Sequence, residues 1–206
     1  MQNLTILDHP LAQNALTHLR ETTTTTSEFR KYSEIISKLL IEEAASLLPV
    51  FKKTITTPLT DTDGYLLKEE IVLMTILRAG LAMLTPAMQL FPSAAVGFAG
   101  LARDEQTALA REYYWKLPRI TKQDTVLLLD PMLATGGSLL YVLKKIHDAK
   151  QIILITIISA PEGITTLTTA FPNIRIVTAA VDEKLNDKKF IIPGLGDFGD
   201  RYFGTE

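Results

Sequence analysis

A chain of 206 residues, 47% of them hydrophobic and 21% charged, can bury a sizeable core and has the make-up of a globular protein. Its formal net charge of −2 supplies no bulk field for nucleic acid or an anionic membrane surface, and the absence of cysteine excludes disulfides, thiol catalysis and cysteine-ligated zinc. The amino terminus, MQNLTILDHP, lacks the basic-then-apolar order of a signal peptide, and apolar runs such as 152–158 are far too short to span a bilayer. The expectation is a soluble cytoplasmic protein with no membrane partner.

Residues 11–20 predict a first short helix. The threonine tract at 22–26 is a poor helix interior because β-branched side chains crowd it, yet Thr25-x-x-Glu28 can cap the helix that follows. From Phe29, apolar residues at Tyr32, Ile35, Ile36, Leu39, Leu40, Leu47 and Leu48 form a helical stripe ended by Pro49. That stripe is core or subunit interface and carries no chemistry. Residues 50–57 predict a strand, with Asp61, Thr62, Asp63 and Gly64 as the turn to a partner at 65–67. A buried strand at 71–77 ends at Arg78, Ala79 and Gly80. Residues 81–90 are helical, with Pro86 expected to start or kink a helix rather than continue it, and 94–98 is a further strand.

The stretch 103–118 is polar, with Tyr113, Tyr114 and Trp115 near its end, and reads as an exposed β-arm or hairpin (about 101–118). Strand 126–129, helix 137–148, strand 152–158, helix 162–170 and strand 174–181 then alternate. Such alternation implies an α/β fold, a parallel sheet with helices on both faces. Residues 182–206 are rich in Gly, Asp and Pro without a period; their glycines and aromatics predict an ordered, tightly turned hood rather than a surface tail. No repeat or linker divides the chain, so a single domain over 1–206 is expected.

The chemistry concentrates at 126–138, VLLLDPMLATGGS. Four apolar residues suit a strand buried on both faces, and Asp130 stops them. Gly136 and Gly137 then let backbone approach an anion, while the first free amides of the next helix point at it. Thr135 and Ser138 can add hydroxyl donors, and Asp130, at a strand's carboxyl end, can accept from paired hydroxyls such as those of a ribose. Neither G-x-x-x-x-G-K-[ST] nor G-x-G-x-x-G is present in this loop. A plain helix entry is the competing reading of an isolated TGG.

DPMLATGGS at 130–138 resembles the 5-phosphoribosyl-1-diphosphate (PRPP) signature of type I phosphoribosyltransferases, in the version of the uracil phosphoribosyltransferases. That signature usually has two adjacent acids; here Pro131 stands at the second. The resemblance continues at His9-Pro10-Leu11, Phe29-Arg30, ILRAG (76–80), R-x-E-x-T (103–107), APEG (160–163), IIPGLGD (191–197) and GDR-x-FGT (199–205). It implies a central, mostly parallel sheet flanked by helices, with the β-arm and a uracil-binding hood at about 182–206. The implied reaction is transfer of the 5-phosphoribosyl group from PRPP to uracil, giving UMP and pyrophosphate.

The resemblance also implies roles. Ala134, Thr135, Gly136, Gly137 and Ser138 would hold the 5-phosphate, with Pro131, Met132 and Leu133 completing the PRPP loop and Asp130 on the ribose hydroxyls. Arg78, with the Ala79 and Gly80 backbone, would meet the pyrophosphate, and Arg103 on the arm would fold over it and exclude water. Arginine's planar, permanently charged fork suits both tasks. The blander readings are a sheet-end salt bridge for Arg78 and a solvated charge for Arg103. Main-chain groups of Ile191, Gly196 and Phe198 would read uracil, and Asp197 would face the base, the ribose or the metal, directly or through water. Arg103, Asp130 and Asp197 are the expected catalytic residues. Mg²⁺ is the implied cofactor, because a pyrophosphate leaving group needs charge neutralisation. GTP as an activator, known in some family members, stays open, and a homodimer or larger homo-oligomer is expected.

No nucleophile with a helper is visible, and His9, His18 and His147 lack metal spacing. Two positions depart from the family: Phe190, where tyrosine is commoner, and Phe198, where a small residue is usual. A Phe198 ring turned into the pocket would reshape it; one turned away would leave it unchanged. The alternatives are a phosphoribosyltransferase for another base and a PRPP- or nucleotide-sensing regulator with little catalysis.

Overall fold

Successive residues of an unbroken apolar strand point to opposite faces of the sheet, so the central strands need cover on both sides. The computed structural model describes residues 3–103 and 110–205. The chain opens with β1 (Leu4–Ile6), α1 (Pro10–Arg20) and α2 (Thr26–Ala45), then the hairpin β2 (Val50–Thr56) and β3 (Asp61–Leu67). The α/β body follows with β4 (Ile71–Leu77), α3 (Leu81–Leu90), β5 (Ala95–Arg103), β6 (Ala110–Lys116), β7 (Thr125–Leu129) and β8 (Met132–Leu133). It continues through α4 (Gly137–Lys145), β9 (Gln151–Ser159), α5 (Pro161–Ala170) and β10 (Arg175–Val181). The hood holds β11 (Lys184–Leu185), β12 (Ile191–Ile192) and α6 (Phe198–Phe203).

The main sheet has the order β1-β10-β9-β7-β4-β5-β6, with β8 joined to β9. All its pairings are parallel apart from β5–β6. Leu73, Leu127, Leu129, Ile153 and Ile155 face α1, α2 and α3, whereas Val72, Met74, Val126, Leu128 and Leu154 face α4 and α5. The expected α/β architecture is therefore present, with strands β4 and β7 buried on both faces. The capping box also forms: Thr25 Oγ1 accepts from the Glu28 amide at 3.3 Å while the Glu28 carboxylate accepts from the Thr25 amide at 3.1 Å.

Several boundaries differ from expectation. Asp61–Leu67 is strand throughout, and the hairpin turns instead at 57–60. There Pro58 presets the backbone, and Thr57 Oγ1 accepts from the Leu59 and Thr60 amides at 3.3 and 3.1 Å. Pro86 does not start a helix but lies inside α3, which continues past it to Leu90. Its missing N–H forfeits one bond, which the burial of Ala82, Met83, Leu84 and Ala87 offsets. α2 ends at Ala45 and leaves Leu47 and Leu48 outside the helix, and α4 ends at Lys145, short of 148. β1 was not foreseen, nor was α6, which makes the hood partly helical.

Candidate active site

Thr75 pairs with Leu129, so the carboxyl ends of β4 and β7 lie side by side and the loops leaving them share one rim. Crevices at such strand ends are where open α/β sheets bind ligands. The loop after β7 is tied down to β9. The Asp130 amide donates to Ile155 O at 3.2 Å, and Pro131 O accepts from the Ile157 and Ile158 amides at 2.9 and 3.1 Å. The Ala160 amide donates to Leu133 O at 2.8 Å. Gly136 then takes φ +81°, a conformation glycine adopts without strain; as N-cap of α4 it brings no side chain, and the Gly137 amide reaches only Thr135 Oγ1, at 3.4 Å. The first-turn amides of α4 therefore lack intrahelical acceptors and point out of the loop, as an anion requires. Gly163, in α5, supports the loop from beneath, since a Cβ there would lie 2.3 Å from Ala134 O. That contact gives the APEG motif a physical reason that its sequence alone did not supply.

Asp130 sits at the floor of this rim. Loss of hydration pushes its carboxyl up to about 7, against a smaller opposing pull from the Met132 amide that donates to it. Such a group is poised to ionise when hydroxyl donors arrive.

After β4, Arg78 follows a cis peptide bond and Gly80 provides the N-cap of α3. Arg78 Nη2 donates to Asp200 Oδ1 at 3.1 Å, and its guanidinium lies 5.9 Å from the Phe203 ring centroid. The salt bridge is thus real, but it links the loop to the hood rather than bracing the sheet end. Both partners are well exposed, so the pair contributes about 1 kcal/mol or less and can open readily for a competing anion. The backbone of Arg103 closes β5 opposite Ala110. Its side chain and residues 104–109, including Glu105 and Thr107 of the R-x-E-x-T motif, lie outside the described residues.

The hood is bolted to α1 and to the segment after it. Arg20 donates to both Asp182 oxygens, at 2.5 and 2.9 Å, and to Gly194 O at 2.7 Å, while the Gly194 amide donates to Asp182 Oδ2 at 2.9 Å. Arg201 donates to Leu19 O, Leu195 O and Glu21 O and stacks over Phe29. Asp197 caps α6, its Oδ1 accepting from the Asp200 amide at 3.0 Å. The Phe198 ring, 2% exposed, turns into the core, edge-on to Phe29 at 5.1 Å and stacked on Tyr202 at 5.9 Å. Its bulk is thus packed against other aromatics while the residue still borders the cleft. Phe190 stands half exposed at the lip.

A cavity of about 230 Å³ joins these parts, lined by Ala79, Met132, Ala134, Lys189, Phe190, Ile191 and residues 196–199. Of the predicted site residues, it brings together Ala79, Met132, Ala134, Ile191, Gly196, Asp197 and Phe198. Lys189, Gly199 and Asp200 were missed as neighbours, although Gly199 and Asp200 belong to a quoted motif. The histidines are structural: His9 Nδ1 accepts from the Leu11 amide, His18 stacks on Tyr32, and His147 bonds Lys144 O.

A family model described as Uracil phosphoribosyltransferase matches residues 6–205. The uracil phosphoribosyltransferases of Dictyoglomus thermophilum and Malacoplasma penetrans are 46% and 44% identical to this chain. Each alignment covers 98% of this chain, with 99% and 98% of the relatives' lengths respectively. The structure of the AQ2163 protein from Aquifex aeolicus matches with a TM-score of 0.92 at 38% identity, over 98% of this chain and 99% of that one. With its PRPP-type loop, hood and arm in one frame, the chain belongs to the uracil phosphoribosyltransferase family.

Proposed function

We propose that the family's reaction runs in the cleft between the 130–138 loop and the hood. The enzyme transfers the 5-phosphoribosyl group of PRPP to uracil, giving UMP and pyrophosphate. What supports this location is one cavity bordered by the phosphate loop (Met132, Ala134), the pyrophosphate loop (Ala79) and the hood (Ile191, Gly196, Asp197, Phe198). At about 230 Å³ it is smaller than the ~300 Å³ at which drug-sized pockets begin, and so suits a single heterocycle.

In this reading the α4 amides with Thr135 and Ser138 hold the 5-phosphate, and ionised Asp130 accepts from the ribose hydroxyls. Main-chain groups of Ile191, Gly196 and Phe198 pair with uracil's carbonyls and N–H groups. Uracil N1 bonds to the anomeric carbon as its bond to the pyrophosphate oxygen breaks, and the N1 proton is released. Arg78, once freed from Asp200, and Arg103 meet the departing negative charge. Catalysis is then positioning plus electrostatic stabilisation, with no covalent protein intermediate. Among the described residues no cluster of three or more acids and histidines could cage a metal. Mg²⁺ would be held on the protein's side by Asp197 Oδ2, since Oδ1 already accepts an amide. When bound, it neutralises pyrophosphate charge.

Substitution Asp197→Asn tests the assignment. Asparagine still caps α6, so the fold survives while turnover falls by about 10²-fold or more. Activity near wild type in that variant would remove Asp197 from the site. The reading also makes the enzyme a cytoplasmic homodimer or larger, because PRPP and uracil are cytoplasmic metabolites and the β2–β3 hairpin displays Val50, Phe51, Ile55, Leu59 and Tyr65 to solvent. GTP activation is tested by the same assay with and without GTP.

A further inference from the structure

The β5–β6 arm is bent and pinned where it leaves the sheet. Gly100 pairs with Tyr114 but Leu101 pairs with Glu112, so Tyr113 is the extra residue of a bulge. Bulges bend a strand and re-aim what lies beyond them. Gly100 is fitted to this one, because a Cβ there would lie 2.6 Å from Tyr113 Cε2 and 2.8 Å from Tyr114 Cβ.

Directly beyond the bulge, Glu112 reaches α4. Its carboxylate accepts from Lys145 Nζ at 2.5 Å and from the Tyr141 hydroxyl at 3.1 Å. The same ammonium lies 4.2 Å from the Trp115 ring centroid and 5.0 Å from that of Tyr141. Tyr141 and Lys145 stand one turn apart, on one face of α4. One carboxylate and two rings therefore hold the cation, and the Glu112–Lys145 hydrogen bond chiefly lowers the acid's pKa and raises the base's. α4 begins at Gly137, in the anion loop, and ends at Lys145, against the bend of the arm. One rigid helix thus spans both parts. None of the family motifs includes Glu112, Trp115, Tyr141 or Lys145.

We infer that Glu112 and Lys145 are positioning residues for PRPP. They fix the angle at which the arm leaves the sheet relative to the phosphate loop, and hence where the end of β5, at Arg103, stands over bound PRPP. This rests on the proposed role of Arg103. Neither residue touches substrate, so the effect acts through the arm.

Steady-state kinetics of Glu112→Gln, Lys145→Met and Lys145→Arg test it, alone and, for Glu112→Gln, combined with Arg103→Ala. Glu112→Gln and Lys145→Met should raise KM for PRPP by about three- to ten-fold, the scale of one partly covered ion pair. kcat should stay within about two-fold of wild type, with KM for uracil unchanged at saturating PRPP. Lys145→Arg keeps the charge, the bond and the ring contact and should behave as wild type. In the Arg103→Ala background, Glu112→Gln should add nothing. A wild-type KM for PRPP in Glu112→Gln, a loss confined to kcat, or full additivity with Arg103→Ala would each overturn the inference. If Arg103→Ala itself leaves PRPP kinetics unchanged, the role of the arm fails first and the inference falls with it.

Discussion

Asp130 carries the clearest electrostatic signature at the scale of single residues. An acid whose pKa rises on folding, here from 3.8 to about 7, favours the protonated folded state. Its contribution to stability is full below about pH 4 and is lost as pH climbs through about 7. Urea unfolding of the ligand-free enzyme across this range should therefore show a fall that Asp130→Asn lacks. The comparison isolates the residue, because Glu28, Glu69, Glu112 and Glu162, all lowered, act in the opposite sense in both proteins. In the proposed role, in which the ribose hydroxyls bind the ionised form, PRPP binding near pH 7 should release more protons from wild type than from Asp130→Asn. Calorimetry in two buffers of different ionisation heat measures that difference; equal proton release would remove Asp130 from the ribose. The residue type and its strand-end position were legible in VLLLD, but its dehydration was not, since it arises from loops distant in sequence.

Two contacts between elements set the shape of the cleft. Gly163→Ala would drive a methyl into Ala134 O and displace the phosphate loop, lowering kcat/KM for PRPP by about 10- to 100-fold with the fold intact. Kinetics like wild type would show that the loop tolerates the shift. Arg20→Ala removes the guanidinium from Asp182, whose side chain is only 3% exposed, and should cost about 2–3 kcal/mol in chemical denaturation. An unchanged unfolding midpoint would mean that Arg201 alone holds the hood. The βαβ alternation of 126–181 was readable because its apolar runs are long and its helices start at Gly or Pro. The hairpin turn was misread because Asp-Gly is a strong local signal, yet Thr57 and Pro58 form a better-bonded turn four residues earlier. Pro86 was misread because the rule against proline in helices weighs one lost bond and not the packing around it. β1 offers only three residues, and its pairing with β10 spans nearly the whole chain.

For the molecule as a whole, what sequence motifs marked as separate points becomes one rim. The 130–138 loop, the 78–80 loop and the hood are far apart in sequence and meet because β4 and β7 are neighbours and because Arg20 and Arg201 draw the carboxyl terminus back onto α1. The arm's tip lies outside the described residues, so its share of the site rests on the family motif. The β2–β3 hairpin, with Leu59 94% exposed, makes few contacts with the rest of the protein and presents apolar side chains to solvent. Sedimentation velocity at micromolar concentration should give a dimer or larger species, and Phe51→Lys with Tyr65→Lys should shift it toward monomer. A monomer in the unaltered protein would contradict that assembly.

The cleft's fit to uracil is tested most directly by offering the enzyme PRPP and Mg²⁺ with uracil, cytosine, hypoxanthine, adenine and orotate in parallel and measuring nucleotide formed. The cavity of about 230 Å³, with Phe198 packed into the core rather than into the pocket, has room for a single pyrimidine, and the proposed main-chain pairing to uracil's carbonyls and N–H groups predicts UMP from uracil and no nucleotide from the other four bases. Turnover of another base in preference to uracil, or of none, would contradict it.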